Sequence, residues 1–116
     1  MHIEDLQDIC KKLPAVEEDI KWGNDLCFCV GKKMFLVVGL GRTPASASFK
    51  VKDEEFDEMC IRKGFAPAAY VARYKWVSTR DLNNMNKKDW EHYVKQSYAL
   101  VKEKLPKKIK KELGLA

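Results

Sequence analysis

The run Met34–Leu40 is apolar but for Gly39 and dense in branched and aromatic side chains. It falls far short of the roughly 20 residues a helix needs to cross a bilayer, and it has the length of a strand. Being apolar on both faces, it belongs in the middle of a sheet with neighbours on each side. The adjoining sequence supplies them. Before it, Leu26, Phe28 and Val30 alternate with Cys27 and Cys29, and Gly31-Lys32 makes the turn between the two runs. After a loop at Gly41–Pro44, Ala47, Phe49 and Val51 alternate with Ser48, Lys50 and Lys52, the pattern of a strand with one buried face. Glu18–Trp22 is a fourth, short candidate, closed by a Gly23-Asn24-Asp25 turn.

Helices are predicted around these strands. Ile3, Leu6, Ile9, Cys10 and Leu13 recur at helical spacing until Pro14. Asp53 is placed to cap a helix that starts at Glu54-Glu55 and buries Phe56, Met59 and Cys60, with Gly64 as its stop. Tyr70–Thr79 is expected as one long strand or two short ones around Arg73. A final helix opens near Asn86, with Asp89 in the capping position, and carries Trp90, Tyr93, Val94, Ser97, Tyr98, Val101 and Leu105 on one stripe until Pro106. The order α-β-β-β-α-β(β)-α predicts a single α+β domain over residues 1–116. It has two layers: a largely antiparallel sheet, and helices on one of its faces. The other face has no helix left to cover it.

Composition sets limits on function. With 46% apolar and 34% charged residues the chain is an ordinary globular domain. The opening Met1-His2-Ile3-Glu4-Asp5 lacks the pattern of a signal peptide, so a cytoplasmic location is expected. Cys10, Cys27, Cys29 and Cys60 read as reduced thiols used as small apolar residues. Cys27 and Cys29 share a strand face, but no second ligand pair accompanies them and the histidines are only His2 and His92, so no metal site is expected. No nucleophile–base pair and no glycine-rich phosphate loop can be assembled, so neither catalysis nor a cofactor is expected.

Four signatures and a fifth follow one another along the chain: Trp22-Gly23-Asn24, Val30-Gly31-Lys32-Lys33-Met34-Phe35, Ser48-Phe49-Lys50, Lys75-Trp76-Val77 and Ser97-Tyr98-Ala99-Leu100-Val101. In this order they resemble the MmcQ/YjbR family. The resemblance implies a fold like that of bacterial frataxin and of secretion chaperones, and a DNA-binding role.

Charge layout points the same way. Lys32, Lys33, Arg42, Lys50 and Lys52 are the ionised residues of 26–52, an acidic block at 53–61 follows, and Arg62, Lys63, Arg73, Lys75 and Arg80 are those of 62–80. If Lys50, Lys52, Arg73 and Lys75 share the uncovered sheet face, with Lys32, Lys33 and Arg42 in the neighbouring loops, they form a surface for phosphates. Tyr70, Tyr74 and Trp76 would lie near by, although Trp22, Trp76 and Trp90 read more readily as core than as a ligand platform. The expected partner is therefore nucleic acid, with no membrane and no small-molecule substrate. The alternative is a protein-interaction module that holds a peptide or a second copy on the open face or an edge strand.

Overall fold

The structure is a computed structural model and describes residues 1–115. Its elements are α1 (Ile3–Lys11), β1 (Val16–Lys21), β2 (Asp25–Val30), β3 (Lys33–Gly39), β4 (Ser46–Lys50), α2 (Asp53–Cys60), β5 (Phe65–Pro67), β6 (Trp76–Thr79), α3 (Lys87–Glu103) and α4 (Lys107–Glu112). Short 3₁₀ turns occupy Ala72–Tyr74 and Leu82–Asn84. The strands form one antiparallel sheet in the order β1-β2-β3-β4-β6-β5, which puts the apolar run of β3 in the interior, as its two-sided apolarity requires.

Register assigns the faces. Leu26 and Phe28 lie opposite Val38 and Leu36, Leu36 and Val38 lie opposite Phe49 and Ala47, and Phe49 and Ala47 lie opposite Val77 and Thr79. All but Thr79 belong to the hydrophobic core, which α1 and α3 cover. In β3 the alternation is broken at Phe35, where the pairing with β2 skips one residue. This bulge lets adjacent Phe35 and Leu36 both enter the core, and Phe35 meets Tyr98 edge-on at 5.4 Å. Trp90 is fully buried and packs edge-on against Phe49. Cys10 lies in the same core, and burial pushes its thiol up to about 12.

The expected caps are present with one shift. Asn86 accepts the Asp89 N–H at 2.8 Å at the start of α3. At α2 the capping residue is Lys52 rather than Asp53, because the Glu55 carboxylate takes the Lys52 N–H and draws the helix one residue earlier. Gly31 and Lys32 both have positive φ in the two-residue turn between β2 and β3. A Cβ on Gly31 would come within 2.8 Å of Leu105, so this turn is packed against the junction of α3 and α4.

The expected strand over Tyr70–Thr79 is corrected: only Trp76–Thr79 is extended in the sheet. Tyr70 and Lys75 both have left-handed backbone (φ 69 and 66), which ends extension at each. Two N–H groups of this segment bond locally, Tyr74 N–H to Val71 O and Lys75 N–H to Ala72 O. Arg73 and Lys75 are therefore not on a strand face, and the segment forms one wall of the groove described below.

Candidate functional site

Residues opposite one another across the ladder share a face, so the pairs Asp19 with Cys27, Cys27 with Val37, Val37 with Ser48 and Ser48 with Ser78 trace the middle of the face that α1 and α3 do not cover. Met34, Lys50 and Trp76 extend it toward one end. Inward of Asp19 on the edge strand and Asp25 at one end of β2, this face is thiols, small residues and apolar side chains, with a single lysine. Burial raises the pKa of both Cys27 and Cys29, so these thiols stay protonated. Among the described residues no group of three His, Cys, Asp or Glu side chains is placed to hold a metal ion.

The single lysine sits where the positive charge collects. Lys50 is 9% exposed, and its ammonium donates to the carbonyl oxygen of Tyr74. Burial lowers its pKa from the ordinary lysine value; the charges of Lys104 and Lys75 act in the same direction, and Asp53 opposes them. Lys33, Lys50 and Lys104 line one cavity of about 430 Å³, whose apolar walls include Met34, Trp76, Val101 and Leu105. The position of Lys50 is fixed from behind. Its backbone N–H donates to Ser97 Oγ at 3.0 Å, and that hydroxyl donates to Phe35 O at 2.5 Å. Ser97 thus bridges β3 and β4 where their pairing ends, at Leu36 and Phe49.

The seven cations singled out in the sequence divide unequally. Lys33 and Lys50 share the cavity. Lys32 is in the turn beside Lys33, Lys52 caps α2 two residues beyond Lys50, and Arg73 and Lys75 precede β6, whose Trp76 pairs with Lys50. These six lie toward one end of the sheet. Arg42 follows β3 in the loop at the opposite end and joins none of them. Arg73 stacks on Tyr74 at 4.8 Å, and the Lys75 ammonium lies 5.0 Å from the centre of the Phe56 ring. Lys104, the C-terminal cap of α3, is not among these seven.

A second cavity, about 650 Å³, adjoins the first through shared Met34, Val71 and Trp76. Val37, Ser48, Ala68 and Ser78 line it, with Trp22 and Tyr70 from the two flanks of the sheet. Trp22, expected in the core, is 70% exposed, and Tyr70 is 99% exposed. Trp22 has φ 53 in the β1–β2 turn, just past the end of β1, so strand alternation no longer sets its direction. Together the cavities make one groove, cationic at one end and apolar with aromatic margins at the other.

A six-stranded antiparallel sheet with its main helices on one face and a groove on the other defines a small two-layer α+β open-sheet domain. The chain belongs to the YjbR family, whose model matches residues 11–100. It is similar to the solved structure of DR2400 from Deinococcus radiodurans, a protein with a DUF419 domain. The two are 26% identical with a TM-score of 0.86, over 98% of this chain and 88% of that one. It is also similar to a protein from Pseudomonas syringae, at 17% identity and TM-score 0.70, over 86% of this chain and 98% of that one. No curated protein matches the chain. Among the described residues no helix is long and apolar enough to cross a membrane.

Proposed function

We propose that this chain is a non-catalytic cytoplasmic protein that binds nucleic acid, DNA in the first instance, through phosphates held at the cationic end of the groove. The observation that carries this reading is the convergence of Lys33, Lys50 and Lys104 on one cavity, with Lys32, Lys52, Arg73 and Lys75 at the same end of the sheet. Clustered cations bind phosphates by releasing condensed counterions, and the resulting affinity carries little sequence information. Low specificity also suits α3, which commits Trp90, Val94, Ser97 and Tyr98 to the interior of the domain.

Lys33 and Lys104 are the residues to change, because both are exposed, whereas a carboxylate in place of Lys50 would be buried without its Tyr74 partner. The Lys33→Glu, Lys104→Glu double variant is expected to melt like the parent and to bind labelled DNA at least about tenfold more weakly at low salt, with a salt slope shallower by roughly two. Fluorescence anisotropy at two or more salt concentrations reads both quantities. Unchanged affinity and slope would remove the cavity from the interface.

The free edge of β1 favours a second reading, a protein-interaction module. This six-residue strand pairs only with β2, and its Ile20 is 58% exposed. That reading requires a dimer or peptide complex that persists at high salt without nucleic acid, which light scattering after gel filtration detects. A monomer at every salt concentration would count against self-association.

A further inference from the structure

We infer that the groove receives an unpaired strand, whose bases enter the apolar cavity between Trp22 and Tyr70 while its phosphates lie at the lysine end. This rests on the nucleic-acid reading above and names the form of the ligand. Phosphate binding alone needs only the cationic cavity. It leaves unexplained why that cavity continues through Met34, Val71 and Trp76 into a larger, mostly apolar one whose single charged lining residue is Asp25.

The second cavity has the chemistry of a base-stacking site. Its floor holds Val37 and Trp76, its strands contribute the Ser48 and Ser78 hydroxyls and the Asp25 carboxylate at one end, and its margins carry two aromatic rings. Those rings are solvent-exposed on opposite flanks of the sheet, and both residues hold left-handed backbone, a conformation disfavoured for residues with a Cβ and kept only where the surroundings impose it. Base faces stack on aromatic side chains whatever the base, so such a site keeps the low specificity that the lysines imply. A duplex keeps its base faces inside its own stack and presents hydrogen-bonding edges and phosphates. It would contact the lysine end and leave the apolar cavity unfilled. Arg73, stacked on Tyr74 at the cationic end, adds a flat cation of the kind on which unstacked bases also rest.

Three ligands separate the contributions: a labelled thymidine oligomer, the same length of abasic strand, and a duplex of that length. About twenty nucleotides is enough, since single domains of this size cover roughly 4–16. The thymidine oligomer is expected to bind about tenfold or more tightly than either of the others at the same salt concentration. In the Trp22→Ala, Tyr70→Ala variant that advantage over the abasic strand should vanish, while melting temperature and salt slope stay as in the parent. Both positions are exposed, so the fold is not at stake. Duplex or abasic strand bound as tightly as the thymidine oligomer overturns this inference and leaves the phosphate reading standing. Absence of binding to all three overturns both.

Discussion

The Trp90→Ala variant is expected to lose about 3–5 kcal/mol of stability from the vacated core volume. A further cost of about 1–3 kcal/mol follows from the stranded hydrogen-bond acceptor. Trp90 is fully buried, its indole N–H donates to Leu82 O at 2.7 Å, and its ring meets Phe49 edge-on at 5.6 Å. It therefore joins α3 to the middle of the sheet and to the 3₁₀ turn that precedes the helix. Domains of this size are stable by only about 5–15 kcal/mol, so the variant should be largely unfolded or should unfold early in a urea titration followed by circular dichroism. Trp90→Phe separates the two contributions, because it keeps most of the packing and removes the donor; it should fall between the parent and the alanine variant. A Trp90→Ala loss below about 1.5 kcal/mol would mean that the core closes over the missing ring.

That core was legible in the sequence because its signals are local and periodic. The α3 stripe from Trp90 to Leu105, the alternation of β2 and β4 and the two-sided β3 each follow from residue spacing, and each element formed within a residue or two of its expected place. The departures arise where backbone conformation overrides alternation. Phe35 alternates outward on paper, but a bulge turns it in. Tyr70–Lys75 is rich in strand-forming side chains, yet left-handed residues at both ends lift it from the sheet. This displacement matters most for the site. Arg73 and Lys75 were expected to share a strand face with Lys50; instead their segment walls an apolar groove. Lys50 could be chosen from strand phase, and Lys33 from its place in the turn beside the sheet. Lys104 could not, since its neighbour in space is fixed by where α3 ends relative to β3 and β4. Nor could the prominence of Trp22, which depends on a positive φ that no composition signals.

Ser97 joins fold and site in one hydroxyl, and Ser97→Ala is expected to lower stability by about 2–4 kcal/mol through two buried backbone groups left without a partner. By continuation of the Leu36–Phe49 register, Lys50 N–H and Phe35 O would be the next bonded pair of the β3–β4 ladder. They bond instead to the two sides of the Ser97 hydroxyl, which has no exposed surface. The serine thus occupies the gap left where the bulge at Phe35 distorts the strand. Urea unfolding should show a lower midpoint with an unchanged slope, since the surface exposed on unfolding is the same. Amide exchange at Lys50 should quicken relative to Phe49, whose strand pairing does not depend on the hydroxyl. The consequence reaches the groove because the same residue carries the buried ammonium: a looser Lys50 backbone should weaken DNA binding in the variant even under conditions where it remains folded. A stability loss within about 0.5 kcal/mol, with Lys50 exchange unaltered, would show instead that the ladder closes directly between Lys50 and Phe35 when the hydroxyl is removed. In that case the pairing of β3 with β4, without Ser97, would set the position of Lys50 in the cationic cavity.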